Sequence, residues 1–323
     1  MRKELKPITV RDTWGTFLAK RLQQIFLGLI YKPVFATIRT SSSEKENAKD
    51  TPLRKALRSG QVSFQGDLFR GRFTAEISKE LRGMGAVFDK VRQGYRLPSW
   101  KLPPEILFIA VRARDEAAKL VQDVYTAIDE IPINVARYVH GLSFEDEAGT
   151  VDKLLSKKFK STVSEIIGVQ PEISDRMRGK IKDEYTQNVT RSIKGFSQDE
   201  TEKLREIVHD HAMAGRPRDE LEQKIMTRLK VSSGRARFIA GQETRLFTSK
   251  LKEAQYIDVG IDEYRWETVG DDRVRSSHRS LNNTRHTWDH NKDKNPPKSD
   301  RGELIHPGED FGCRCVAVPI VEF

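Results

Sequence analysis

Apolar residues recur at three- and four-residue steps through most of this chain, which is the period of a helix. Phe17, Leu18, Leu22, Ile25, Phe26, Leu29 and Ile30 form one such stripe between Trp14 and Tyr31, with Lys20, Arg21, Gln23 and Gln24 opposite. That pattern predicts an amphipathic helix closed by Pro33, its apolar face docked on a core or a partner. A helix lying on a membrane surface would look similar, but the Leu27 to Ile30 patch is too short to span a bilayer. A longer stripe from Ile106 to Ile128 follows Pro103-Pro104 and stops before Pro132, so a long helix is expected there with proline in its first turn. Further helices are predicted over 151–167, 172–193, 197–213, 218–229 and 233–256. Ser197 reads as an N-cap with Glu200 at the capping-box position, and Gly215 as a turn. Short connections between these helices imply antiparallel neighbours and hence a bundle.

After Gly260 the period changes from helical to alternating. Tyr264 and Trp266 fall on one face of a predicted strand over 262–269, with Arg265 and Glu267 on the other. Second and third strands are expected over 284–288 and 313–321, with a polar loop containing Pro296-Pro297 between them. Upstream, 52–104 reads as a small module mixing short helices, glycine turns and short strands. Residues 1–13 read as a flexible basic leader, and 40–51 as a Ser/Glu/Lys/Asn linker. The expected fold class is mainly α: an elongated helical bundle with a small N-terminal basic module and a small C-terminal α+β unit. Four consecutive blocks are expected: a basic arm over 1–51, a basic α+β module over 52–103, a helical bundle over 104–232 and an α+β domain over 233–323.

Charge singles out the first third. The chain carries 57 Lys and Arg against 47 Asp and Glu, a net charge of +10. Residues 1–100 hold 20 of the basic and 9 of the acidic residues, and the remainder is nearly balanced. An anionic partner therefore belongs to the N-terminal third, either duplex DNA held by its backbone without sequence specificity or an acidic protein surface. The candidate DNA-binding residues are Arg54, Lys55, Arg58, Arg70, Arg72, Arg82, Lys90, Arg92 and Arg96, interleaved with Phe64, Phe69, Phe73, Phe88 and Tyr95. Nothing resembles a signal peptide, and two cysteines in 323 residues fit a reducing cytoplasm better than a disulfide framework.

Both cysteines lie in one run, His306-Pro307-Gly308-Glu309-Asp310-Phe311-Gly312-Cys313-Arg314-Cys315. On a strand, residues two apart face the same way, so Cys313 and Cys315 could present both sulfurs to one ion. His278 and His306 complete the candidate set for a structural Zn2+, with His286 and His290 in reserve. The alternative is that the cysteines are small buried residues and the histidines hydrogen-bonded parts of the fold. Asp272 and Arg273 are expected to form a local ion pair tying the Trp266 strand to the loop that ends at His278, and Trp266 is expected in the core. Glu243, with Gln242, Arg245 and Ser249 near it on the last helix, is placed to reach the C-terminal core through hydrogen bonds. His209 and His211 are two apart on a predicted helix and make a poor metal pair.

These motifs also stand in a familiar order. Arg235 to Ala240 with Glu243-Thr244, Gly260-Ile261, Trp266 to Thr268, Asp271 to His278, Leu281-Asn282 and His306 to Cys315 follow one another. That series resembles the C-terminal domain of the phage Mu F-like head morphogenesis proteins, minor head proteins of tailed bacteriophages. Where many relatives carry C-x-x-C, this chain has Arg275-Ser276-Ser277-His278, which leaves a mixed His/Cys set. The resemblance implies a non-enzymatic structural protein of the virion, inside the head near the portal vertex and in the host cytoplasm during assembly. The implied partners are the portal protein, the major capsid or scaffolding protein and non-specific double-stranded phage DNA during packaging or ejection, with no membrane. A different class stays open: a metal-dependent nuclease or hydrolase centred on the C-terminal cluster of Asp272, His278, His306 and the cysteines.

Overall fold

The computed structural model describes residues 2–9, 12–40, 50–214 and 218–322. The linker residues 41–49 and the turn expected at Gly215 lie outside the described residues. The strands in chain order are β1 (Arg2–Glu4), β2 (Val62–Gln65), β3 (Leu68–Gly71), β4 (Val87–Asp89), β5 (Gly94–Arg96), β6 (Glu263–Glu267), β7 (Arg285–Thr287) and β8 (Val316–Glu322). The helices begin with α1 (Thr16–Phe26), α2 (Lys32–Thr40), α3 (Pro52–Arg58), α4 (Ala75–Gly83), α5 (Pro104–Asp129) and α6 (Ile131–Val139). They continue with α7 (Glu145–Phe159), α8 (Glu165–Ile167), α9 (Asp175–Ala214), α10 (Arg218–Asp258) and α11 (Ser276–Ser280). The molecule is mainly helical with a small antiparallel C-terminal sheet, as the periodicity predicts.

The chain divides into two units. One comprises Met1–Leu22, Gly141–Ser192 and Arg235–Phe323, and the other Gln23–His140 and Ile193–Gly234. The four consecutive blocks expected from the sequence do not coincide with these units, because α9 and α10 each contribute residues to both.

In the first unit, β1, β8, β6 and β7 lie side by side in that order, all antiparallel. β6 alternates as expected, with Tyr264 and Trp266 fully buried and Glu263, Arg265 and Glu267 turned outward. Their inner face packs into an aromatic core in which Trp288 lies 4.4 Å from Tyr264 and 5.7 Å from Tyr256, and Tyr256 5.2 Å from Phe159. The expected flexible leader is corrected here. Residues 2–4 form the edge strand, Lys3 opposite Val321, and Leu5 and Ile8 are buried. The basic residues around them mask two apolar anchors whose burial offsets the cost of ordering the segment. Gly15 sits where α10 comes closest, since a Cβ there would lie 3.2 Å from the Ala240 carbonyl oxygen and 3.1 Å from Thr244 Oγ1.

In the second unit, β2, β3, β5 and β4 make an antiparallel sheet. Its core is Leu53, Leu57, Phe69, Leu81 and Leu97, joined by Ile106 and Ile109 from the first turns of α5. Thr51 and Thr74 cap α3 and α4 through their side chains, each accepting from the amide three residues on.

Pro33 does not close the first helix. A π-helical turn at Leu27–Tyr31 links α1 to α2, so the chain stays helical to Thr40. The carbonyl that the Pro33 ring would strike in a regular helix belongs to Leu29, inside that wider turn. The turn also delivers Tyr31 to a buried cluster. Its hydroxyl donates to Glu200 Oε2 at 2.5 Å and bonds Ser232, while Arg228 Nε reaches the same carboxylate at 3.0 Å. Burial, with Glu200 alongside, pushes the Tyr31 phenol well above its ordinary range. Glu200 is thus occupied in the core and does not cap a helix at Ser197. α9 runs straight through, and Ser197 Oγ bonds back to the Lys194 carbonyl at 2.8 Å. The breaks expected near 193–197 and 229–233 are absent for a related reason: single glycines at 195 and 234 cost a helix only about 1 kcal/mol each, which packing overrides.

Two substitutions check this fold. Ile8→Ala should lower stability in urea by about 2–5 kcal/mol, the range for an emptied core site; a change near zero would return residues 1–9 to a loose leader. Glu200→Ala should cost about 3 kcal/mol, because Arg228, Tyr31 and Ser232 lose a shared buried acceptor. Glu200→Gln should cost less, since it keeps one acceptor oxygen.

Candidate functional site

The loop from His306 to Cys315 enters the interior of the first unit and carries the chemistry. It lacks strand partners, so its backbone is satisfied by α10 and by its own turns. Gln242 Oε1 accepts the Gly312 amide at 2.6 Å, and Ser249 Oγ donates to the Pro307 carbonyl at 2.8 Å. The Cys313 amide closes a turn onto the Asp310 carbonyl at 2.9 Å. β8 begins only at Val316, so Cys313 and Cys315 converge through this turn and not through the strand alternation expected. The Cys315 amide donates to Cys313 Sγ at 3.4 Å.

His278 comes to the sulfurs from α11. Its Nδ1 lies 3.6 Å from Cys315 Sγ, and its Nε2 bonds Asp310 Oδ2 at 3.0 Å. Asp310 is gripped by Arg275, which also reaches the Phe311 carbonyl. The ligand atoms of His278, Cys313 and Cys315 all lie within 4.8 Å of one another, and all three residues are buried. The hydrogen bond to Cys315, and then His278, hold the Cys313 thiol well below its ordinary range in spite of burial. Cys315 is pushed up by its bond to Cys313 and by burial. His278 is raised first by Cys313, with Asp310 adding to it.

A second cluster sits at the start of the same loop. His306 Nδ1 faces the Tyr264 hydroxyl at 3.0 Å, and its ring stacks on His290 with centroids 4.1 Å apart. The His306 amide donates to Glu309 Oε2 at 2.6 Å, and Lys250 pairs with Glu309 Oε1 at 2.6 Å. Burial opposes ionisation of Glu309, but Lys250 and His306 outweigh it and hold the carboxyl below its usual range. Burial pushes His306 down to about 4. Lys252, beneath the loop, donates to the Ile8 carbonyl at 3.3 Å and is drawn down to about 8 by its burial.

The family described as Phage Mu protein F like protein matches residues 202–318 of this chain. That segment is similar to the Mu F-like family. It runs from within α9 into β8 and contains both clusters. The chain is also 30% identical over 130 residues to an uncharacterized protein of Haemophilus influenzae, covering 40% of this chain and 27% of that protein. The similarity thus spans about a quarter of that relative's length. No solved structure matches the chain.

Within the Mu F-like segment, the four proposed metal ligands do not assemble as one set. His278, Cys313 and Cys315 meet, whereas His306 is taken by Tyr264, His290 and the Glu309 turn. The reserve histidines are engaged too, His286 by Thr284 at 2.7 Å and Asp293 at 2.9 Å, and His290 by the stack. Trp266 is in the core as expected. The acid that ties the strand end is Asp271 rather than Asp272: it accepts from Arg314 at 2.6 Å and pairs with Arg273 at 3.5 Å, while Asp272 is exposed. Glu243 turns to Ser192 on α9 at 2.7 Å, and it is Gln242, Ser249 and Lys250 of the helix that hold the loop. The residues named for the hydrolase alternative are not brought into one cluster: Asp272 is exposed, and His278 and His306 are held by different partners.

Sequence reasoning gave no role to Asp310, Lys250 or Lys252. Asp310 was visible inside the cysteine run. The contacts of the two lysines with Glu309 and the Ile8 carbonyl carried no local signal, because those partners lie dozens of positions away.

The buried neutral His306 makes stability depend on pH. Its folded value of about 4 lies below the 6.5 of an unperturbed imidazole, so the unfolded chain binds the proton first as pH falls. The contribution is complete above pH 6.5 and disappears as pH falls to about 4, an effect of about 3 kcal/mol. Urea unfolding at stepped pH should show that decline, and His306→Asn should flatten it. A slope unchanged by the substitution would assign the loss to other groups.

Proposed function

We propose that this chain is a structural protein of a phage head, incorporated during head assembly, docked at the portal and touching packaged DNA. The match of residues 202–318 to the Mu F-like family carries this reading. The site geometry supports it: Trp266 and Cys315 contact His278, Asp271 is held by Arg314 and His306 by Tyr264, all as parts of a fold. A segment whose motif residues are engaged in holding its own fold suits a docking module.

The second unit supplies the DNA-facing part of the proposal. Several of its basic residues are partly neutralised: Arg58 pairs with Asp50 at 2.9 Å, Arg96 with Asp67 at 2.6 Å and Arg54 with Glu105 at 3.9 Å. The turn between β4 and β5 is different. Lys90 and Arg92 are exposed there beside Val91, which is 93% exposed. We therefore place the phosphate contacts at that hairpin tip, with Arg72 and Arg82 as further exposed contributors.

Co-purification of the tagged chain with the cognate portal ring, with and without nuclease and at two salt concentrations, tests the docking. Retention through nuclease and high salt is the expected result, and loss under either treatment would leave only charge-driven association. For DNA, Lys90→Ala with Arg92→Ala should reduce the slope of log affinity against log salt by about two, one per lost phosphate contact. An unchanged slope would move the contact elsewhere.

A further inference from the structure

We infer that His278 Nδ1, Cys313 Sγ and Cys315 Sγ bind one zinc ion, oriented by Asp310 and completed by an exogenous fourth ligand. This assignment stands apart from the head-protein reading, because it uses only the geometry of the loop and α11.

The spacing fits the ion. In a tetrahedral site with Zn–S near 2.3 Å and Zn–N near 2.0 Å, a nitrogen and a sulfur ligand lie about 3.6 Å apart. His278 Nδ1 and Cys315 Sγ lie 3.6 Å apart, and Cys313 Sγ shares their cluster. Two sulfurs and an imidazole select a borderline-soft ion over magnesium or calcium.

The surroundings are those of ligands held ready. A metal-bound histidine donates its outer nitrogen to a carboxylate, which fixes the ring and leaves the inner nitrogen for the ion. His278 Nε2 meets Asp310 in this way, and Arg275 fixes Asp310 in turn. A donor also faces one of the sulfurs. The Cys315 amide reaches Cys313 Sγ at 3.4 Å. Hydrogen bonds to thiolate sulfur are a regular means of tuning metal–sulfur centres.

The same atoms spell a cysteine–histidine–aspartate nucleophile, and exposure decides between the readings. An acyl substrate has to reach the attacking sulfur, yet Cys313 is 4% exposed and Cys315 6%. An ion needs no such opening. Among the described residues no fourth His, Cys, Asp or Glu joins the group, so the fourth position falls to water in the isolated protein.

The test uses the full chain, reduced and stripped with a chelator, titrated with Co2+ alone. Thiolate-to-cobalt charge-transfer absorption should saturate at about one equivalent per chain and vanish when Zn2+ displaces the cobalt. Asp310→Asn should keep the tetrahedral spectrum while weakening zinc affinity by about 10–100-fold. Should Cys313→Ser or Cys315→Ser fail to fold, the wild-type titration still decides. A chain folded by circular dichroism that develops no thiolate charge-transfer band would overturn the assignment. So would Asp310→Asn with unchanged zinc affinity.

Discussion

The hydrogen bonds from α10 to the 306–315 loop are the constraint on which the rest of the first unit depends. A buried loop without strand partners would leave amides and carbonyls unpaired, each at a cost of about 1–3 kcal/mol. Gln242 and Ser249 remove that cost at Gly312 and Pro307, and Lys250 holds Glu309 between them. Gly308 makes the approach feasible: it lies at φ +94, in the left-handed region, and a Cβ there would already touch Ser249. Further along the helix, Lys252 reaches the Ile8 carbonyl, so the N-terminal segment that follows β1 is fastened to the same helix. One polar stripe on a helix thus does for this loop what a neighbouring strand does for β6.

That arrangement also shifts two histidines in opposite directions. His278 meets a thiol held well below its ordinary range and a carboxylate, and both favour its protonated form. His306 is shut in among Tyr264, Trp288 and His290, where burial prevails and keeps it neutral. Position relative to the loop accounts for the difference, since both rings are nearly inaccessible. The charged pair at Lys250 and Glu309 completes the pattern by giving the buried acid a cation from α10.

Much of this was legible in the sequence where the signal is local. The alternation of Tyr264 and Trp266 fixed the inner face of β6, and the proline pair at 103–104 fixed the start of α5. The conjunction of His278 with the two cysteines could also be read, although the reason given for it, a shared strand face, was not the one the fold uses. What failed depended on distant partners. Glu200 resembles a capping residue in sequence and becomes a core acid only because Tyr31 and Arg228 arrive from elsewhere in the chain. His306 resembles a ligand until Tyr264 claims its nitrogen. Asp271 and Asp272 are neighbours with equal claims on paper, and only the position of Arg314 separates them.

If the α10 clamp holds the Mu F-like loop as an integral part of the fold, its amides should be as hard to open as the sheet. Native-state hydrogen exchange of the whole chain measures this directly by comparing Gly312 and Cys315 with Trp266 of β6. The expected result is protection of all three amides through the same cooperative opening. Exchange of Gly312 and Cys315 at the rate of an exposed loop, while Trp266 stays protected, would contradict it. In that event the two clusters would be built on a segment that the helix does not hold.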